Sequence, residues 1–143
     1  MTTYESEIKT ISASEEVVFG LLSDLNNLEK FKNLPEAPKE IQEIEFDTDS
    51  CQFKVDGLGT VGFRIVEREP NKTIKFESEN IPMMKFNAWI QLKQTSENET
   101  HMKLTLKADM PMMVKMMIDS KIKDGINRVA DTIATAINKS VND

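Results

Sequence analysis

The sequence predicts an α+β domain in which a curved antiparallel sheet of about seven strands wraps on one long C-terminal helix. Three observations carry this. From Met112 to about Ser140, apolar residues recur every three or four positions: Val114, Met117, Ile118, Ile122, Ile126, Val129, Ile133 and Ile137. From Ile41 to Ala108 the period changes to two, with apolar and polar residues alternating in short runs. Turn residues punctuate those runs, so consecutive strands are antiparallel neighbours.

The long helix spans roughly 40 Å at ~1.5 Å per residue. Its polar positions include Lys115, Asp119, Lys121, Asp124, Arg128, Asp131 and Lys139. The mean apolar step exceeds the 3.5 residues of a left-handed coiled coil, which favours packing on the chain's own sheet. Gly125 interrupts this helix at a cost of ~1 kcal/mol against Ala. It serves a bend or close approach to the sheet, or it is simply tolerated.

In chain order, Tyr4 to Ile11 reads as a first strand. Ser12 or Ser14 offers an N-cap, followed by Glu15 and Glu16 in the first turn of a short helix built on Val17, Val18, Leu21, Leu22 and Leu25. Asn26-Asn27 breaks it, Leu28 to Phe31 predicts a further turn or two, and Pro35 and Pro38 end helical structure. The meander follows as six alternating sets: Ile44/Phe46, Cys51/Phe53/Val55, Val61/Phe63/Ile65, Ile74/Phe76, Phe86/Ala88/Ile90/Leu92 and Met102/Leu104/Leu106/Ala108. Their turns are Asp47–Ser50, Asp56–Gly59, Glu69–Lys72 and Ser96–Glu99. The order of elements is thus strand, two short helices, six strands and a long helix, as one domain over residues 1–143.

With 39% hydrophobic residues, the chain has the composition of an ordered globular protein. Its net charge of −6 argues against sequence-independent nucleic-acid binding and against docking on anionic membranes. Cys51 is the one cysteine, which excludes an intrachain disulfide and a thiolate metal cluster. The opening residues lack a signal-peptide pattern and no apolar stretch approaches the ~20 residues that span a bilayer, so the expected setting is cytoplasmic, without membrane insertion. The Asn-x-Ser/Thr triplets at Asn71, Asn98 and Asn138 then read as coincidences.

The opening stretch Ile11-Ser12-Ala13-Ser14-Glu15-Glu16-Val17-Val18-Phe19, with Leu22-Ser23-Asp24, resembles the START-like helix-grip superfamily. That superfamily includes birch-pollen-type allergens, polyketide cyclases and dehydrases, and lipid-transfer domains. Ser14 stands where many members carry proline. The resemblance covers the element order of the whole chain, although its motifs mark packing rather than chemistry. It implies a cavity between sheet and helix that binds a small hydrophobic molecule, lipid-like or polyketide-like, with catalysis in only some members.

The candidate ligand-binding residues follow from two signals. Alternation assigns Phe63, Ile65, Ile74, Phe76, Phe86, Ile90, Leu104 and Leu106 to the concave face, as core or as cavity lining. The methionines supply the other signal: Pro82-Met83-Met84 and Pro111-Met112-Met113, then Met116-Met117, with Met110 between. Antiparallel pairing brings both clusters to one rim of the sheet. Met is flexible and polarisable, so Met83, Met84, Met113 and Met117 suit an adaptable portal, or equally a gap-filling core.

Chemical candidates are few. Almost no acid, base or nucleophile shares the concave parity, which argues against an enzyme and leaves no catalytic residue to name. No cofactor or metal spacing is present. His101 reads as solvated, Cys51 as a small apolar residue, and Glu43, Glu45, Asp47 and Asp49 as solvent-facing carboxylates. Tyr4 and Arg64 reach a ligand only if a bulge changes their parity. Trp89 falls on the convex face, either as a self-association patch that would make a homodimer or lying on neighbouring lysine stems. Two other function classes stand beside ligand binding: a cyclase- or dehydrase-like enzyme, and a pocketless interaction module.

Overall fold

The computed structural model describes residues 1–27, 41–55 and 59–142. Its strands are β1 (Thr2–Glu5), β2 (Lys9–Ile11), β3 (Ile41–Phe46), β4 (Ser50–Val55), β5 (Gly59–Glu69), β6 (Thr73–Glu79), β7 (Lys85–Ser96) and β8 (Glu99–Asp109). Helix α1 spans Glu15–Leu22 and helix α2 spans Met112–Asn142. All pairings are antiparallel, in the order β1-β8-β7-β6-β5-β4-β3, and β2 joins β8 beside β1. The predicted turn at Leu28–Phe31, the prolines at 35 and 38, and residues 56–58 of one predicted turn lie outside the described residues.

The single first strand expected from the sequence is two strands. Ser6 explains the break. Its backbone N–H donates to the Leu104 carbonyl (2.9 Å), while the Leu104 N–H is accepted by the Ser6 hydroxyl (2.9 Å) instead of a backbone carbonyl. A buried serine side chain thus replaces one rung of the ladder and satisfies a donor that burial would otherwise penalise.

Helix α1 starts where the sequence placed a cap. The Ser14 hydroxyl accepts from the Val17 N–H (3.3 Å), and Glu15 and Glu16 face the positive end of the helix dipole. At the other end, Arg68 donates to the Ser23 carbonyl from Nε (3.0 Å) and Nη2 (2.8 Å), and to Asp49 (2.7 Å). Arg68 reaches that position through a bulge: Ile65 pairs with Phe76 but Glu67 already pairs with Lys75. The extra residue, Val66, reverses the parity downstream and turns Arg68 to the side of Ile74.

Register collects the apolar residues of the meander on one face. Tyr4, Leu106, Ala88, Phe76 and Ile65 form one cross-strand row, and Ile74, Ile90 and Leu104 form another. Phe53, Phe63 and Phe76 continue across β4 to β6 in edge-to-face contact, with centroids 6.3 and 5.6 Å apart. Gly62 permits β4 and β5 to close: a Cβ there would stand 2.2 Å from the Cys51 carbonyl oxygen.

Helix α2 lies along β1, β2 and β8. A polar seam fixes it: Tyr4 Oη donates to Asp119 (2.6 Å), the Glu7 N–H to Asn127 (2.8 Å) and the Ser12 N–H to Asn138 (2.7 Å), and Lys9 pairs with Asp131. Ile126, Ala130, Ala134 and Ile137 are buried beneath. The small alanines let the helix approach the sheet closely. This stripe is rotated from the one predicted, because Val129 and Met117 stand exposed. Gly125 has open space around a Cβ, so it serves neither bend nor close approach that the structure displays.

Candidate functional site

The concave face is closed at one end and open at the other. Ile11, Val18, Ile74, Met102 and Ile137 are fully or almost fully buried beneath α1 and the second half of α2. Towards the opposite end the same face carries half-buried Phe53, Phe63, Phe86, Ala88 and Leu106. The first half of α2 supplies Val114, Ile118 and Ile122, also half-buried. This opening between sheet and helix is the candidate site.

The sequence-predicted residues divide along that gradient. Phe76, Ile90 and Leu104 are buried core, at the floor. Phe63, Phe86 and Leu106 are part-exposed at the open end, as is Met84. The two methionine clusters do come to one rim: Lys85 pairs with Asp109, which sets Met84 beside Met110. Met83 (68% exposed), Met113 (77%) and Met117 (74%) face solvent there, as do Met112 and Met116. The gap-filling core reading therefore fits Met84 and Met110, whereas Met83, Met112, Met113, Met116 and Met117 are surface residues. Met83 also holds φ +63°, a left-handed conformation that costs a non-glycine residue about 1 kcal/mol or more.

Sequence reasoning missed one pair. Tyr4 needs no bulge: it lies opposite Leu106, on the concave face, and is 4% exposed. Its hydroxyl donates to Asp119, whose other oxygen meets Lys123 Nζ at 3.1 Å. Burial first, then the hydrogen bond to Asp119, pushes the Tyr4 phenol up to about 12. The Tyr4 hydrogen bond, followed by that from Lys123, holds the Asp119 carboxyl below its ordinary value. The available signal was spacing, because Asp119 precedes Ile126 by seven residues and so shares its buried face.

The remaining candidates are structural. Arg64 stays on the convex face opposite Glu77 and is exposed. Cys51 is buried and its thiol is pushed up to about 11 by desolvation, which keeps it neutral and unreactive. Asp47 caps its own turn, accepting from the N–H groups of Asp49 (2.9 Å) and Ser50 (2.8 Å), while Asp49 serves Arg68. Glu45 is exposed, and the Glu43 side chain lies outside the described residues. His101 is half-buried on β8 between Thr10 and Lys93. Trp89 lies between the Lys75 and Lys107 ammonium groups, 5.6 and 5.7 Å from its ring centroid, so cation–π contact covers its faces. No described helix is long and apolar enough to cross a membrane.

The family model for CoxG, a component of carbon monoxide dehydrogenase, matches residues 9–142. The chain belongs to the CoxG family. None of the curated proteins compared with this CoxG-family chain matches its sequence. Among solved structures, norcoclaurine synthase from Thalictrum flavum, in complex with dopamine and hydroxybenzaldehyde, is similar over 98% of this chain and 87% of its own. Its TM-score is 0.73 at 15% identity. A conserved protein from Geobacillus kaustophilus matches with TM-score 0.70 and 16% identity, covering 97% of each chain. A START superfamily protein from Mycobacterium smegmatis gives 0.66 at 12% identity, over 96% of this chain and 97% of that one. At these identities the likeness is one of fold: the CoxG-family chain has the START-like helix-grip architecture.

Proposed function

We propose that this chain binds a small hydrophobic molecule, lipid-like or polyketide-like, between the first half of α2 and the phenylalanine-rich end of the sheet. The burial gradient carries this reading. A fold stabilised only for its own sake would close both ends of its apolar face, and here one end holds half-exposed Phe53, Phe63, Phe86 and Leu106. Burying their remaining apolar area against a ligand contributes ~25 cal/mol per Å², less the ordering costs of binding. Met84 and Met110 form the inner margin of the entrance, and Met83, Met113 and Met117 its exposed rim. Their soft side chains adapt to a guest as it passes. The left-handed backbone at Met83 supports a functional rim, because strain of this kind is retained where surrounding structure imposes it.

Native mass spectrometry of the purified chain tests the reading. An apolar mass that leaves on delipidation, and an apolar fluorophore that then enters at one-to-one stoichiometry, are expected. Failure of the delipidated chain to take up any apolar probe would overturn it.

A further inference from the structure

The open end of the cleft is apolar except at one point. Asp119 sits on the sheet-facing stripe of α2, seven residues before buried Ile126, where packing alone calls for an aliphatic side chain. It faces Tyr4, which shares a cross-strand row with half-buried Leu106 and Ala88, residues of the proposed cleft. The Asp119 side chain is 30% exposed. Its two oxygens each have one partner among the described residues, Tyr4 Oη at 2.6 Å and Lys123 Nζ at 3.1 Å. A carboxylate offers about four lone-pair sites, so acceptor capacity remains. The other seam contacts, Asn127 to Glu7 and Asp131 to Lys9, lie towards the closed end, beside Ile126 and Ala130.

We propose that Asp119 is a polar anchor of the cleft and selects an apolar molecule that carries a neutral hydroxyl or phenol. The inference rests on the ligand-binding reading above and names the chemistry of the guest. A hydroxyl donates to the free lone pairs of Asp119 while the Tyr4 hydroxyl continues to orient the carboxylate. A carboxylate-headed guest, such as a fatty acid, meets the Asp119 charge directly and is rejected. An ammonium-headed guest meets Lys123, and Lys115 on the same turns of helix, and is disfavoured as well. Both signs of charge are selected against, and a neutral donor is not.

Calorimetric titration of the full chain at neutral pH with naphthol, its methyl ether and naphthoate tests this. The wild type should prefer naphthol over the ether about tenfold, the scale of a hydrogen bond to a charged acceptor, and should bind naphthoate weakest. Asp119→Leu should bind naphthol and ether alike. Tyr4→Phe keeps the carboxylate and should keep the preference, which separates an anchor from a latch that acts only through Tyr4. Equal binding of naphthol and ether by the wild type, or a preference that survives in Asp119→Leu, overturns the proposal and leaves the cleft standing. Naphthoate binding as tightly as naphthol also overturns it. If none of the three binds, the cleft reading fails and the anchor with it. Should Asp119→Leu not fold, the wild-type series and Tyr4→Phe still decide.

Discussion

Tyr4 and Asp119 show how a single contact ties the two ends of the chain together. The phenol stays protonated up to about pH 12, whereas an unfolded tyrosine ionises near 10. A folded value raised above the unfolded one contributes stability below pH 10, and that contribution is lost as pH rises from about 10 towards 12. Asp119 has the opposite sign: its lowered value contributes above the ordinary aspartate range and is lost in acid. Replacing Tyr4 by Phe should therefore flatten the alkaline limb of a stability-versus-pH curve and cost about 1 kcal/mol at neutral pH. Chemical denaturation across pH 7 to 12 checks it, and an alkaline limb unchanged by the substitution would exclude Tyr4 as its source. Gly125 gives a prediction of the other sign. A Cβ there meets nothing within 4 Å, so Gly125→Ala should stabilise the chain by about 1 kcal/mol, seen as a higher urea midpoint with unchanged slope.

At the scale of elements, helix α2 divides into a packed half and an overhanging half. The second half carries Ile126, Ala130, Ala134 and Ile137 into the core. The first carries Met112, Met113, Met116 and Met117 into solvent, each more than two-thirds exposed. Changing both Met113 and Met117 to Gln should leave stability within about 0.5 kcal/mol, since neither is packed. The same change should weaken uptake of an apolar fluorophore. A large loss of thermal stability with unaltered uptake would assign these residues to packing instead. The helix itself was legible from its period, and its start at Met112 matches. Its rotation was not legible, because Ile, Val, Met and Ala all read as apolar around much of the circumference. The sheet, not the helix, decides which of them face inward. Asp119 was lost for the same reason: a charged residue was assigned to the solvent face by type. The bulge at Val66 was likewise hidden, since Val-Glu-Arg alternates acceptably in either register, and with it went the role of Arg68.

At the scale of the molecule, the strand-helix-meander-helix order was readable because each element announces itself locally through turns, caps and period. The location of an opening was not. It depends on how far the long helix extends past its contacts, a difference between elements that no single stretch encodes. The concave residues were therefore identified together, and the structure separates Phe76, Ile90 and Leu104 at the floor from Phe63, Phe86 and Leu106 at the mouth. The nine methionines make that separation measurable in one experiment, because they sample the solvent rim, the inner margin and the sealed core. In a methyl NMR titration of methyl-labelled methionine with naphthol, the Met84 and Met110 signals should shift saturably and together. Met102, fully buried at the closed end, should remain in place. Shifts centred on Met102, or none at Met84 and Met110 while naphthol binds elsewhere, would contradict a binding site at the open end of the grip.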